Sequence, residues 1–216
     1  MFNTIFPNIH KEGYKFLAIA IIATFIILLF SKFLGAIFIL ITIWVYYFFR
    51  DPDRISINDD NYLVSPADGL ITNISEQIGP IELQLENTTF TKVSIFMNVF
   101  NCHVNRTPLA GTVEEINYKP GKFINASLDK ASEENERNYF KIKCNKSGEE
   151  IIIVQIAGLI ARRIVCEVEQ GQNLKQGERI GMIRFGSRVD IYFKNKKVLA
   201  KKGQNVVAGE SLIASI

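Results

Sequence analysis

The stretch Arg184-Phe185-Gly186-Ser187-Arg188-Val189-Asp190 joins two apolar segments, and the interpretation of the whole chain depends on it. Apolar residues recur on both sides, namely Ile180 and Ile183 before the stretch and Ile191 and Phe193 after it. This pattern predicts two buried strands that meet at Gly186–Ser187. Glycine has no Cβ and allows a strained turn, and the serine hydroxyl that follows is within reach of the preceding carbonyl. An ordinary turn is the commoner meaning of a Gly-Ser pair, so a chemical role needs support from elsewhere in the chain.

The chain around this stretch consists of short apolar segments separated by turn residues. The predicted strands are residues 62–64, 70–74, 92–97, 112–118, 140–144, 151–156, 180–185 and 189–193. The polar segment 125–138 predicts a loop or a short surface helix, and the segment 158–165 predicts a loop or a short strand. Many short strands with frequent glycine turns predict a mainly β domain, a barrel or a sandwich, over residues 50–216.

The N-terminal segment has a different composition. Residues 14–49 are nearly all apolar, with Ser31-Lys32 as the main polar break, and each half is slightly shorter than the roughly 20 residues that span a bilayer. A helical hairpin, one long tilted helix and a shallow monotopic insertion all fit this pattern, and a convincing signal-peptide cleavage site is missing. Positive charge flanks both ends of the segment, which favours a hairpin with both ends in the cytoplasm. We therefore predict that residues 1–49 form a hydrophobic membrane anchor.

The overall composition limits the classes of partner and cofactor. A net charge of +3 without a long basic run argues against nucleic acid as a partner. The three cysteines form no CxxC pair, which argues against a disulfide framework and against a metal site. Of the two histidines, His10 lies in the N-terminal segment, so any imidazole chemistry in the rest of the chain must use His103.

A carboxylate, an imidazole and a hydroxyl occur at Asp68, His103 and Ser187, in an order that is known from hydrolase triads. Each also has an ordinary explanation: Asp68 precedes a glycine in a turn, and His103 fits a buried core position. Cys102 fits a nucleophile, although a buried inert thiol is the more frequent case. Arg162 and Arg163 fit either phosphate binding or a solvated basic pair. Spacing alone does not make a site of these residues.

Longer motifs connect these positions. They are Phe49-Arg50-Asp51-Pro52, Val64-Ser65-Pro66-Ala67-Asp68-Gly69, Phe96-Met97-Asn98-Val99-Phe100-Asn101-Cys102-His103-Val104-Asn105-Arg106, Pro120-Gly121-Lys122-Phe123, Asn125-Ala126-Ser127-Leu128-Asp129-Lys130-Ala131-Ser132, Gln155-Ile156-Ala157-Gly158 and Phe185-Gly186-Ser187-Arg188. Because these motifs occur in this order along the chain, the chain resembles the short, membrane-anchored phosphatidylserine decarboxylase proenzymes. The resemblance covers most of the chain.

The resemblance implies a proenzyme that cuts itself between Gly186 and Ser187. The products would be residues 1–186 (the β chain) and 187–216 (the α chain), which stay together as a heterodimer with further oligomerisation left open. Ser187 would become a pyruvoyl group, the covalent cofactor, and would form a Schiff base with phosphatidylserine to yield phosphatidylethanolamine and carbon dioxide. Asp68 and His103 would assist the cleavage, and the enzyme would lie in the inner membrane with its catalytic domain on the cytoplasmic side.

One position departs from the family pattern. Longer members carry a second histidine three positions after the first, where this chain has Arg106. Roles that are divided between two histidines in those members fall here on His103, or on Arg106 and water. The candidates for binding the phosphodiester of the substrate are Arg106, Arg162, Arg163 and Arg188.

Two alternatives to this function remain open from the residues. The first is a membrane-tethered serine hydrolase that uses Asp68, His103 and Ser187 without cleaving itself. The second is a non-enzymatic β adaptor similar to lipoyl or biotinyl carriers, which would present Lys196 or Lys197 for modification. The lysines of the segment 194–202 also fit a solvated face or one that contacts anionic lipid headgroups.

Overall fold

The chain divides into two compact units, Met1–Asp53 and Arg54–Ile216. A computed structural model describes residues 7–124, 134–159, 163–184 and 187–215. The segments 125–133, 160–162 and 185–186, on which parts of the sequence analysis fall, lie outside the described residues.

From residue 7 onward, the first unit contains two helices, α1 (Gly13–Phe30) and α2 (Lys32–Phe48). They are joined at Ser31, whose Oγ accepts a hydrogen bond from the N–H of Leu34 and so caps α2. The helices pack against each other, and the hydroxyls of Thr24 and Thr42 are 2.8 Å apart between them. The ends of the pair are also joined, since the N–H of His10 donates to the carbonyl of Phe49 at 2.8 Å.

Both helices expose most of their apolar side chains. Helix α1 has a mean hydropathy of 2.3, and only 11% of it is buried within the chain. Its 18 residues extend over about 27 Å, close to the hydrocarbon thickness of a bilayer. Helix α1 is therefore long and apolar enough to cross a membrane, whereas α2 is equally apolar in character but has 17 residues.

The second unit is built from strands that are connected by turns. They are β1 (Tyr62–Val64), β2 (Gly69–Ile78), β3 (Thr89–Met97), β4 (Val104–Arg106), β5 (Gly111–Lys119), β6 (Arg137–Cys144), β7 (Glu150–Ala157), β8 (Arg163–Cys166), β9 (Asn173–Leu174), β10 (Arg179–Arg184), β11 (Ser187–Phe193), β12 (Lys197–Val198), β13 (Asn205–Val206) and β14 (Leu212–Ser215). A short 3-10 helix, Ile81–Leu83, lies between β2 and β3.

The strands form one large sheet and two small ones within the described residues. The large sheet has the order β13-β2-β3-β11-β7-β6-β5-β9, and the small sheets are β1-β14-β12 and β4-β10-β8. All of these pairings are antiparallel. The prediction of a mainly β fold is therefore confirmed.

Strand β11 lies inside the large sheet, and all seven of its residues are buried. One face carries Val189 and Ile191, which pack in the main hydrophobic core with residues of β3 and β7. Alternate side chains point to the opposite face, where Arg188 and Asp190 form an ion pair at 2.9 Å. Burial on that second face also raises the pKa of the Tyr192 phenol above its ordinary range.

The second face contains a further charged group, Glu82. Its carboxylate lies 2.8 Å from the Lys119 ammonium and 3.4 Å from the Arg137 guanidinium. Burial by itself raises the pKa of Glu82, but hydrogen bonds from Lys119 and from the backbone act in the other direction, so the pKa ends below its usual value.

The strands predicted from alternation are present, and most of them begin earlier or end later than the sequence indicated. The chain enters β6 at Arg137, inside the segment that was predicted as a loop or helix, because Arg137 pairs with Ile156 of β7. The prediction for the segment 158–165 was a loop or a short strand, and β8 begins there at Arg163. Strands β4, β9 and β13 were missed because two or three residues show no periodic pattern, whereas the equally short β1 was predicted from its position directly before the turn at residues 65–69.

Candidate active site

Ser187 is the first residue of β11 and has no exposed surface. It pairs with Met97 at the end of β3 and with Ala157 at the end of β7. Its hydroxyl donates to the Met97 Sδ at 3.4 Å, a weak acceptor for a hydroxyl. Ser187 shares the face of β11 that carries Val189, so its side chain points toward the main core. The other half of the predicted cleavage site, Gly186, lies outside the described residues.

His103 immediately precedes β4 and is also fully buried. Its Nδ1 lies 3.0 Å from the carbonyl oxygen of Asn101. A carbonyl only accepts hydrogen bonds, so Nδ1 carries the proton and Nε2 is the basic nitrogen of the neutral ring. The carbonyl of His103 accepts from the N–H of Ile183 at 3.3 Å, which ties the histidine to the strand that leads into Gly186–Ser187.

The turn before His103 holds the Asn101 carbonyl in place. The side-chain oxygen of Asn101 accepts from the N–H of Asn98 at 2.9 Å, and the side-chain oxygen of Asn98 accepts from Phe100 at 2.8 Å. Two asparagines of the motif thus bend the backbone through side-chain-to-backbone bonds. The sequence analysis quoted both asparagines within a motif and assigned them no effect on the His103 ring.

Asp68 is buried and binds two groups. Its Oδ2 accepts from the Arg54 guanidinium at 2.8 Å, and its Oδ1 accepts from the N–H of Ala208 at 2.8 Å. Among the described residues these are its hydrogen-bond partners, and His103 is not one of them. Asp68 therefore connects the turn at 65–69 to the C-terminal segment. Arg54 was not predicted as a site residue and belongs to the positive charge that follows the N-terminal apolar segment.

Three buried carboxamides lead toward Ser187. Asn138 Nδ2 donates to Gln155 Oε1 at 3.4 Å, and Gln155 Nε2 donates to Asn105 Oδ1 at 2.8 Å. Asn105 Nδ2 then donates to the same Met97 sulfur that binds the Ser187 hydroxyl, at 3.7 Å. The sequence analysis quoted Asn105 and Gln155 within motifs but assigned them no role.

The candidate phosphate-binding arginines lie in different environments. Arg106 is 5% exposed and donates to the carbonyl of Gly177 at 2.9 Å. Arg188 is 4% exposed and pairs with Asp190 on the face of β11 opposite Ser187. Arg163 is exposed, and Arg162 lies outside the described residues.

Arg184, which the sequence analysis did not propose, is directly opposite Arg163 in the pairing of β8 with β10. Burial lowers the pKa of the Arg184 guanidinium, although arginine remains charged in proteins. Directly opposite residues of an antiparallel pair share a face, so Arg163 and Arg184 lie on the same face at the end of β10. The sequence feature that could have identified Arg184 is its position close to Gly186–Ser187 in the chain.

The residues of the alternative functions have ordinary surroundings. Lys196 is ion-paired with Glu149 at 2.6 Å and its side chain is 3% exposed, so it is not presented on a tip as a carrier lysine is. Cys102 is buried at 2% exposure. Within the described part of the chain, no group of three or more His, Cys, Asp or Glu side chains is arranged to bind a metal ion.

Comparison with known proteins gives a consistent result. Residues 41–214 match the family model for phosphatidylserine decarboxylase. The chain is 67% identical to the phosphatidylserine decarboxylase proenzyme of Pelagibacter ubique over 214 residues, which cover 99% of both chains. It is 50% identical to the proenzyme of Rickettsia akari, with 99% of this chain and 92% of that one covered. For the proenzyme of Cereibacter sphaeroides the identity is 48%, over 100% and 93% of the two chains.

Proposed function

This chain belongs to the phosphatidylserine decarboxylase family and is an enzyme, and we propose that it converts phosphatidylserine to phosphatidylethanolamine and carbon dioxide with a pyruvoyl group made from its own Ser187. The observation that carries this proposal is the position of Ser187, a buried hydroxyl at the first residue of an interior strand. An ordinary turn serine would be exposed.

The surroundings of Ser187 fit a pyruvoyl group. Ala157 is the residue opposite on one side and Met97 on the other, so the two cross-strand neighbours of Ser187 are apolar and have no exposed surface. Such a site excludes bulk water from a reactive ketone. The residues that follow Ser187 are paired on both sides along β11, which would hold the new chain end after cleavage.

Self-cleavage would begin when the Ser187 Oγ adds to the carbonyl carbon of Gly186. Nε2 of His103 takes the hydroxyl proton and passes it to the departing amide nitrogen, so that a C–O ester bond replaces the C–N bond. Removal of the Ser187 α-proton then breaks the Cβ–O bond and frees the Gly186 carboxylate. The dehydroalanine that remains takes up water and loses ammonia, which leaves the ketone at residue 187.

The pyruvoyl ketone supplies an electron sink for the loss of carbon dioxide from an amino acid headgroup. We assign to His103 the return of a proton to the substrate carbon that lost the carboxyl group. Of the candidate arginines, Arg163 is the best placed for the substrate phosphodiester, because it is exposed and adjoins Arg184. Guanidiniums bind phosphate oxygens through paired hydrogen bonds, which suits an exposed arginine to this role.

We also propose that α1 and α2 anchor the enzyme in the inner membrane. The hydrogen bond between His10 and Phe49 joins the two ends of the helical pair, which supports an anchor with both ends on one side of the bilayer. Lysines and arginines flank both ends, which favours the cytoplasmic side.

The intact mass of the purified full-length chain tests the proposal. We expect the wild type to give two chains, residues 1–186 and 187–216, with the shorter one blocked to Edman degradation. Ser187→Ala lacks the attacking hydroxyl and should remain one inactive chain. Ser94→Ala is a matched control, because Ser94 is a serine of β3 that is 2% exposed, and it should cleave as the wild type does.

Two results would overturn the proposal. A wild-type chain that stays whole and still decarboxylates phosphatidylserine would refute the pyruvoyl mechanism. A whole chain that is inactive on this lipid but reacts with serine-directed phosphonates would instead support the hydrolase alternative.

A further inference from the structure

The three buried carboxamides next to Ser187 have a defined hydrogen-bond direction. Gln155 and Asn105 have no exposed surface, and Asn138 is 2% exposed. The Gln155 oxygen accepts from Asn138, so the Gln155 nitrogen must face Asn105. The Asn105 oxygen accepts that bond at 2.8 Å, so its NH2 group must point the other way. The row therefore ends in a donor, and that donor points to the Met97 sulfur, which also accepts from the Ser187 hydroxyl.

The acceptor at the end of the row is poor. A carboxamide NH2 has two protons to donate, and a thioether sulfur accepts weakly. The described contact of this group is the Met97 Sδ at 3.7 Å, and no oxygen acceptor for it lies among the described residues. Buried donors normally have a good acceptor, and exceptions occur where catalysis needs the donor.

The same sulfur links the donor to the nucleophile. Met97 Sδ accepts from the Ser187 hydroxyl at 3.4 Å as well as from Asn105. The Asn105 NH2 and the Ser187 Oγ thus converge on one atom, and Met97 is the residue opposite Ser187 in the sheet. A group that is attacked by Ser187 Oγ would form beside the sulfur that the Asn105 donor contacts.

We propose that Asn105 is a catalytic residue of self-cleavage whose side-chain NH2 donates to the carbonyl oxygen of residue 186 as Ser187 adds to it. This proposal rests on the self-cleavage proposed above. When the Oγ–C bond forms, the carbonyl π electrons move to the oxygen and the hydroxyl proton goes to His103. Collapse of the adduct restores the carbonyl and breaks the C–N bond to residue 187. Asn105 stabilises the charge on the oxygen between these two events.

Gln155 acts as a positioning residue in this scheme. Its NH2 group occupies the Asn105 oxygen and so prevents the amide from rotating by half a turn. Rotation would direct an oxygen rather than two N–H groups toward the developing negative charge. Preorganised donors of this kind are among the largest contributions to acyl-transfer catalysis.

The experiment follows cleavage of the full chain after pulse labelling in cell-free synthesis with lipid nanodiscs. Asn105→Asp keeps the shape of the side chain and removes the donor, and we expect cleavage to slow by about 10²- to 10³-fold, the usual loss for one such donor. Added hydroxylamine cuts esters, and it should not speed cleavage of this variant, because the ester itself fails to form. Gln155→Glu lets Asn105 rotate, and we expect it to slow cleavage in the same direction.

A matched control separates this role from general damage to the core. Gln176 is a carboxamide that is 5% exposed, and its NH2 donates to the carbonyls of Tyr62 and Pro108 at 2.8 and 3.1 Å. Gln176→Glu should lower the melting temperature and leave the rate of cleavage unchanged.

The outcomes for this inference and for the proposed function are distinct. If the wild type does not cleave, the proposed function fails. If the wild type cleaves and Asn105→Asp cleaves at the same rate, the role of Asn105 is refuted and the proposed function stands. If Asn105→Asp does not fold, Gln155→Glu decides, and cleavage of that variant at the wild-type rate would also refute the inference. An ester that accumulates in Asn105→Asp and is cut by hydroxylamine would likewise overturn it.

Discussion

The proposed cleavage would make retention of the short chain depend on burial, because no cysteine follows Ser187 to hold it by a disulfide. Ile191 is the clearest position to test. It has no exposed surface and lies between Val93 of β3 and Ile153 of β7, which are also fully buried. Ile191→Ala removes buried carbon atoms that two flanking strands cannot replace, at a cost of about 2–5 kcal/mol. In a cleaved enzyme, that loss weakens retention of residues 187–216 by roughly 30-fold to several thousand-fold.

The assay titrates the cleaved enzyme with urea in detergent micelles and measures the released short chain by size exclusion and mass spectrometry. We expect Ile191→Ala to release the chain at a lower urea concentration than the wild type. Leu199→Ala is the control, because Leu199 is 37% exposed and its truncation removes less buried surface. In the background of Ser187→Ala, which keeps the chain whole, Ile191→Ala should lower the unfolding midpoint without any release.

The reasoning would be refuted by one pattern in particular. If Ile191→Ala and Leu199→Ala released the short chain at the same urea concentration as the wild type, burial along β11 would not be what holds it. The contacts of β13 and β14 with the rest of the chain would then have to carry the retention.

Three further outcomes are expected. His103→Ala removes the proposed base and should slow self-cleavage by about two to four orders of magnitude, as measured by intact mass over time, and normal cleavage would exclude His103 from the mechanism. Deletion of residues 1–49 should give a protein that still matures but no longer sediments with membranes after a high-salt wash, and continued sedimentation would show that the anchor lies elsewhere. The folded pKa of Glu82 is lowered, so its charge stabilises the fold above the unfolded pKa and stops doing so as the pH falls through the folded value. The stability lost in Glu82→Gln, measured by urea unfolding, should thus be larger at pH 7 than below about pH 4, and a constant difference would contradict this.

The sequence predicted the main strands because each carries enough alternating residues to show its period. Val189, Ile191 and Phe193 recur at every second position, and the structure places them on a buried strand. The same reasoning could not find β4, which has three residues and depends on its pairing with β10. Short strands owe their conformation to partners that are distant in the chain, and a local pattern does not contain that information.

The candidate site was predictable as a set of residue types but not as a set of contacts. Asp68 binds the N–H of Ala208, 140 positions further along the chain. The proton on the His103 ring is fixed by a backbone carbonyl, which no side-chain motif can indicate. Asn105 stood in a quoted motif, but its importance comes from the direction of its amide, and that direction depends on Gln155. Tertiary hydrogen bonds of this kind become visible only once the strands are paired.

The interior position of Ser187 has a consequence for the life of the enzyme. A group made from the first residue of β11 is part of the polypeptide, so it cannot dissociate, be exchanged or be supplied from a cellular pool. Each molecule would acquire it once, and only after β3, β7 and β11 have come together around the bond that is cut. Misfolded copies would stay inert rather than partly active. A molecule whose group is reduced or damaged would be lost for good, so the cell could restore activity only by synthesis of a new chain.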